Sequence, residues 1–148
     1  MRGALVLFGA LLLAGCEQAP TGFDDPRADP GDAARLALGQ RVYAQHCASC
    51  HGAKLEGQPD WRRRLPNGRM PAPPHDETGH TWHHADALLF ALTKQGLVPP
   101  YAPAGYESDM PAFGQTLSDE EIWAVLAFIK SHWTSREVRE ARAQMGRQ

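Results

Sequence analysis

The chain has 148 residues, of which 43% are hydrophobic and 22% are charged. This length is enough for one domain with a core of modest size. The 15 basic and 17 acidic side chains leave a formal net charge of −2, and this balance argues against a nucleic-acid partner.

The first 15 residues have the features of an export signal. Arg2 precedes an apolar run over residues 4–15, which is too short for a permanent membrane span but typical of a signal-peptide core. The run ends in Leu13-Ala14-Gly15-Cys16, which resembles the lipobox of bacterial lipoproteins. The resemblance implies that residues 1–15 are removed and that a lipid on Cys16 anchors the protein on the periplasmic side of a bacterial membrane. The alternative is an ordinary signal peptide with an incidental cysteine. Glu17, which follows the cysteine, is compatible with either the inner or the outer membrane as the destination.

Residues 16–32 are predicted to be a flexible tether that begins at the lipidated Cys16. The stretch is rich in proline, glycine and aspartate and poor in apolar residues, so it buries too little surface to fold alone. A strand packed on the domain is disfavoured by its three prolines.

Three helices follow in chain order. Apolar and small residues at spacings of three and four predict the first helix from Ala33 to about Ala48. Residues 52–81 are loop-like, and a second helix is predicted over residues 84–96, closed by Gly96 and the prolines beyond it.

The third helix has the strongest start signal. Ser118 is a candidate cap and Glu121 its capping-box partner. One apolar face then recurs at helical spacing, with Ile122, Val125, Leu126, Ile129 and Trp133. The helix is predicted to continue as an exposed, charged tail over residues 134–148. No strand-like alternation occurs, so the fold class is all-α.

Cys47, Cys50 and His51 form the sequence Cys-Ala-Ser-Cys-His. A zinc site would need two more ligands, which downstream histidines could supply. A thioredoxin-like dithiol would be expected in a strand–helix pattern, which is missing here. Cys-x-x-Cys-His is the attachment pattern of covalent haem, in which both thiols bind the porphyrin edge and the adjacent histidine binds the iron. The pattern therefore favours haem c.

Residues 33–133 resemble a class I c-type cytochrome, on "GQRVYAQHCASCHG" and "SDMPAFGQTLSDEEIWAVLAFIKSHW". The resemblance implies a small cytochrome c fold of three to five helices around one haem c. It implies that His51 and Met110, which precedes Pro111, are the two iron ligands. It also implies that Gly39 and Tyr43 meet Val125 and Phe128 where the first and last helices cross, and that the carbonyl of Pro73 or Pro74 accepts the His51 ring proton.

Several other residues have two interpretations. Met70 also precedes a proline, but no helix follows to brace it, so it is interpreted as an ordinary loop residue. The histidines of residues 75–84 are either a second metal site for copper or zinc, or residues that line the haem edge and tune its potential. Arg62, Arg63, Arg64 and Arg69 are interpreted as a solvated face or as a docking patch for an acidic partner.

The predicted function is that of a membrane-tethered carrier of single electrons between redox partners, with no catalytic residue. A haem with both axial positions filled has no open site for oxygen, peroxide or a gas. The alternatives are a haem enzyme or gas sensor with an open sixth position, and a fixed subunit of a respiratory complex.

Overall fold

A computed structural model describes residues 23–147. This range contains five α-helices: α1 (Ala33–His46), α2 (Ala48–His51), α3 (Asp86–Gln95), α4 (Asp119–Lys130) and α5 (Arg136–Met145). Short 3-10 turns lie at Pro26–Ala28 and Thr81–His83, and the same range contains no β-strand. The all-α prediction is therefore confirmed. No helix between residues 23 and 147 is both long and apolar enough to cross a bilayer.

Helices α1 and α4 cross at Gly39. A Cβ atom on this glycine would lie 2.0 Å from the Ala124 carbonyl oxygen and 2.8 Å from the Phe128 Cβ, so only glycine allows this close approach. The Tyr43 and Phe128 rings pack beside it with centroids 5.4 Å apart. The predicted meeting of Gly39 and Tyr43 with Phe128 is confirmed, with Ala124 rather than Val125 closest to the glycine.

Helix α4 forms the centre of the core because most of its residues are buried. The Ser118 hydroxyl accepts the Glu121 N–H at 3.2 Å, and Glu121 Oε2 accepts the Ser118 N–H at 2.8 Å, which confirms the predicted capping box. The buried apolar residues of α4 are Ile122, Trp123, Ala124, Val125, Leu126, Ala127 and Ile129.

The second predicted helix is shorter than expected at its start. Residues 81–83 form a 3-10 turn, and α3 begins only at Asp86, after the extended residue Ala85. Its end is as predicted, because Gly96 caps the helix with a φ of 83°.

The prediction of a continuous, exposed C-terminal tail is wrong. Helix α4 ends at Lys130, and α5 starts separately after Ser135, whose hydroxyl accepts the Val138 N–H. The Ser135 backbone N–H donates to Glu77 Oε1 at 2.6 Å, which ties this break to the loop before α3. Val138 and Arg142 are both 5% exposed, so one face of α5 packs on the domain.

The tether prediction is also wrong for residues 23–32, while Cys16 and residues 17–22 lie outside the described residues. Ala28 is fully buried, and the Arg27 guanidinium lies 4.3 Å from the centre of the Trp123 ring. The Asp25 backbone N–H donates to the Asp86 carboxylate at 2.7 Å. Composition alone suggested a flexible coil because it does not show that these acidic residues have cationic partners elsewhere in the chain.

Those partners form a buried ionic cluster of Asp24, Asp86, Lys130 and Arg142. The Asp86 carboxylate is fully buried and accepts hydrogen bonds from Lys130 Nζ and, at 2.9 Å, from Arg142 Nη2. Asp24, which is half exposed, binds the same two cations at 2.8 and 2.6 Å. The cluster therefore joins the N-terminal segment, α3, α4 and α5.

Candidate functional site

Helix α2 is a single turn that presents His51 to the interior. Cys47 caps it, and the Cys50 and His51 backbone N–H groups both donate to the Cys47 carbonyl, at 3.1 and 2.9 Å. Gly52 ends the turn with a φ of 83°, a conformation that residues with a Cβ rarely adopt. The Tyr43 hydroxyl donates to the Gly52 carbonyl at 2.9 Å and so fixes α2 against α1.

The His51 ring has one occupied and one available nitrogen. Nδ1–H donates to the Pro73 carbonyl at 2.8 Å, which confirms the expectation for that pair of prolines. Burial lowers the pKa of His51 below its usual value, although the bond to Pro73 opposes the shift. The ring is therefore neutral near pH 7, with the Nε2 lone pair available to a metal. A carbonyl acceptor on the second nitrogen is the usual arrangement behind a metal-bound histidine.

Cys47 and Cys50 are both free thiols. Cys47 is partly buried against the core, and burial together with the nearby Cys50 raises its pKa to about 11. Zinc binding and disulfide exchange both need a thiolate, which this environment disfavours. Within residues 23–147, no group of three or more His, Cys, Asp or Glu side chains is arranged to hold a metal ion. Neither a zinc site at Cys47 and Cys50 nor a copper site in residues 75–84 is therefore supported.

The histidines of residues 75–84 divide into separate environments. His75 stacks face to face on His51, with ring centroids 3.9 Å apart and planes 21° apart. Burial lowers its pKa well below the usual value, and the neighbouring His51 and His80 add to the effect. His80 instead stacks on Trp61, with centroids 5.3 Å apart, and meets His84 edge to face.

Met110 lies in a loop that is bound at several points. Its own N–H donates to the Ser108 hydroxyl at 3.0 Å. Further along, the N–H groups of Phe113 and Gly114 donate to the carbonyls of Thr93 and Lys94, both at 2.9 Å, at the end of α3. The loop is thus held by the end of α3, whereas sequence reasoning expected the last helix to brace it.

Arg69 connects the loops that carry the two candidate methionines. Its guanidinium donates to the Asp109 carboxylate and lies 3.6 Å from Glu107 Oε2. Met70 follows Arg69 and Met110 follows Asp109, and both methionines are half-buried. Met110 as the iron ligand therefore stays a prediction.

The other arginines of the basic stretch have local contacts. The Arg62 guanidinium lies 4.2 Å from the centre of the Trp61 ring, and Arg64 donates to the Gly68 carbonyl at 2.7 Å. Arg62, Arg63 and Arg64 are exposed.

Sequence reasoning missed two residues of the site. The contact of His75 with His51 depends on how residues 73–84 fold back over α2, and no local pattern reports this. Arg69 was considered only as part of a basic run, whereas an acidic pair around Ser108 was the signal that it has partners.

The residues of this site fit a covalently bound haem. Two free thiols lie one helical turn apart, and the next residue presents a free imidazole nitrogen whose opposite nitrogen is already bound. Cys47, Cys50 and His51 would hold the group.

Comparison with known proteins finds one matching family. A family model described as cytochrome c matches residues 36–133, which is more than half of the chain. The match begins within three residues of the predicted domain start and ends at its predicted last residue. A search of curated proteins found no match.

Proposed function

The chain belongs to the cytochrome c family, whose members bind haem c covalently and transfer electrons, and from this we propose that it is a membrane-tethered carrier of single electrons. The donor and the acceptor would be redox proteins at the extracytoplasmic face of a bacterial membrane. The observation that carries the proposal is the His51 ring, whose Nδ1–H is bound by the Pro73 carbonyl at 2.8 Å and whose Nε2 is left for iron.

The haem supplies a one-electron iron couple when it is bound. The chain contributes an oriented histidine ligand. Tyr43 fixes the end of α2, and the Pro73 carbonyl holds Nδ1 of His51 and makes its ring a stronger donor. A ligand that is already oriented needs little rearrangement when the charge of the centre changes, and this favours fast electron transfer over substrate chemistry.

Met110 is the proposed second ligand. Its loop is bound by Arg69 on one side and by the carbonyls at the end of α3 on the other, so a thioether there would be presented by a braced segment. A methionine ligand raises the reduction potential and closes the sixth position. A haem enzyme would need an acid–base group from the histidines of residues 75–84. His75, one of these, instead stacks on His51, the proposed iron ligand.

Carbon monoxide tests the carrier proposal directly. We expect the reduced holoprotein to keep its absorption spectrum under carbon monoxide, because both axial positions are filled. Tight binding by the wild-type protein would instead support a haem enzyme or gas sensor.

The membrane tether is proposed from the lipobox-like sequence that ends in Cys16. Mass spectrometry of the mature N-terminal peptide should find a diacylglyceryl group on Cys16, and Cys16→Ala should prevent its addition. An unmodified Cys16 in the wild-type protein, or cleavage at another position, would contradict the tether.

A further inference from the structure

A second imidazole lies flat against the proposed iron ligand. The His75 and His51 rings are 3.9 Å apart between centroids, with an angle of 21° between planes. This is a stacked contact, in which the face of one ring covers the face of the other.

His75 is held in this position by contacts on its backbone and on its ring. Its N–H donates to the Leu55 carbonyl at 2.8 Å, and its carbonyl accepts the Trp133 indole N–H at 2.9 Å. On the ring, Nδ1 and the Thr81 hydroxyl oxygen are 2.8 Å apart, and that hydroxyl also lies 3.4 Å from the Pro74 carbonyl. Both bonds form when His75 Nδ1–H donates to Thr81 and Thr81 donates to Pro74.

The two stacked rings are therefore anchored independently of each other. His51 is fixed by Pro73, and His75 is fixed by Thr81. A metal-bound imidazole can rotate about its bond to the metal unless its surroundings prevent it. The hydrogen bond to Pro73 holds the His51 ring at one atom. The His75 ring covers one face of His51, so a rotation of His51 about the bond to the metal would meet it. Neighbours of a metal ligand set both its orientation and its donor strength.

We propose that His75 is a positioning residue for His51, which sets the plane of the axial imidazole by stacking and increases the electron donation of that ring to iron. This inference rests on the proposed role of His51 as an axial ligand. It assigns no role to His75 in binding the metal itself. Thr81 belongs to the same device, because it fixes the plane of the stacking ring.

The test uses two substitutions of His75 and a matched control. His75→Leu removes the flat ring, and His75→Phe keeps a flat ring without its nitrogens. His83→Leu is the control, because His83 also stacks on an aromatic ring, that of Trp82 at 3.6 Å, but is exposed and is not stacked on His51. Two measurements compare the holoproteins. In the ferric form, the NMR spread of the four haem methyl shifts reports the plane of the axial imidazole. At a fixed ambient potential, the ferrous fraction reports the reduction potential.

We expect His75→Leu to change the methyl spread and to raise the ferrous-to-ferric ratio by about threefold or more, where a tenfold change corresponds to about 59 mV for one electron. His75→Phe keeps a flat ring but also loses the bond to Thr81, so it should change the spread less than His75→Leu does, and His83→Leu should change neither measurement. Thr81→Val, which removes the bond that orients His75, should change the spread in the same direction as His75→Leu and supplies the result if the leucine variant fails to fold.

The proposal would be overturned if Thr81→Val and the His75 variants that fold keep the wild-type methyl spread and ferrous-to-ferric ratio and only melt at a lower temperature. His75 would then be a packing residue. This outcome is separate from failure of the carrier proposal. Carbon monoxide binding by the wild-type protein would reject the filled sixth position, but it would leave the comparison of His51 orientation readable.

Discussion

At the scale of single residues, His51 has one ring nitrogen bound to the Pro73 carbonyl and the other left free. The burial that lowers its pKa also keeps it neutral, so it presents a lone pair rather than a proton. The neighbouring thiol of Cys47, whose pKa burial raises to about 11, is likewise neutral. A protonated Cys47 is a poor ligand for a free metal ion, whereas the neutral His51 ring can bind one.

If Met110 is the iron ligand, substitutions of Met110 and Met70 should have different effects. Met110→Ala should open the sixth position, lower the reduction potential and let the reduced protein bind carbon monoxide, because a thioether favours ferrous iron. Met70→Ala is the matched control, since Met70 lies on the loop that Arg69 ties to Asp109. Absorption spectra with and without carbon monoxide, together with a redox titration, measure both effects. The opposite pattern, in which only Met70→Ala changes them, would reassign the ligand.

The candidate attachment residues could be identified from the sequence, whereas the surroundings of His51 could be predicted only in part. Cys47, Cys50 and His51 follow from a spacing within one turn, which the chain shows directly. The Pro73 carbonyl was expected from the family resemblance. The stack of His75 on His51 joins residues 24 positions apart through a loop, and its geometry depends on tertiary contacts such as the bond from Trp133.

At the scale of elements, the crossing of α1 and α4 depends on the missing side chain of Gly39. Glycine within a helix is normally unfavourable by about 1 kcal/mol relative to alanine. Its presence on the crossing face indicates that the close contact between α1 and α4 outweighs this loss of helix stability. The crossing and the capped start of α4 were predictable because each depends on residues close in sequence or on a known family contact. The break before α5 was not, because Ser135 begins a new helix without a proline or glycine before it.

Gly39→Ala should destabilise the protein despite the higher helix propensity of alanine. The new Cβ would lie 2.0 Å from a backbone oxygen of α4, which no side-chain rotation relieves. We expect a loss of about 1–3 kcal/mol in the free energy of unfolding, as for other overpacked cores. Thermal unfolding of the holoprotein measures it, with Gln40→Ala on the exposed face of α1 as control. A higher free energy of unfolding for Gly39→Ala would contradict this expectation and would mean that α1 and α4 move apart at no cost in stability.

At the scale of the whole molecule, the buried ionic cluster joins both ends of the described chain. Asp86 has no exposed surface, and two cations and a backbone N–H converge on it. Buried ion pairs add little net stability over apolar packing, but removal of one partner leaves uncompensated charge. The N-terminal segment could not be predicted to pack, because its sequence shows the acidic residues without their distant partners.

Asp86→Ala should be the most damaging substitution in this cluster. It leaves Lys130 and Arg142, both less than 10% exposed, with only the half-exposed Asp24 as a common partner. We expect a loss of about 3–5 kcal/mol. Glu140→Ala breaks an exposed pair with Arg136 on α5 and should change stability by no more than about 0.5 kcal/mol. Denaturant unfolding compares them, and equal effects would show that burial of the cluster contributes nothing.

The contribution of Asp24 to this cluster should be lost in acid. Burial raises the pKa of Asp24, but its hydrogen bonds and charge interactions with Lys130 and Arg142 outweigh this and hold the pKa below 3.8. A carboxyl with a lowered folded pKa contributes its stabilisation fully above its unfolded pKa and loses it as the pH falls through the folded value. Because Asp24 is half exposed, we expect less than about 1 kcal/mol from it.

Asp24→Asn should therefore be less stable than the wild type at pH 7 and equally stable well below pH 3.8. Unfolding measured along a pH series tests this, with Asp119→Asn as a control for an exposed ion pair outside the cluster. A difference between Asp24→Asn and wild type that stays constant in acid would contradict the proposed ionic contribution.

The bonds between Arg142 and Asp24 have a consequence for the order of events during synthesis. They join residues 118 positions apart, and closing so long a loop is entropically unfavourable until the rest of the fold is in place. The chain is made from its N-terminus, so residues 23–32 exist for most of synthesis without the guanidinium that later binds them. Docking of α5, the last helix to be made, is therefore the step that completes the binding of Asp24.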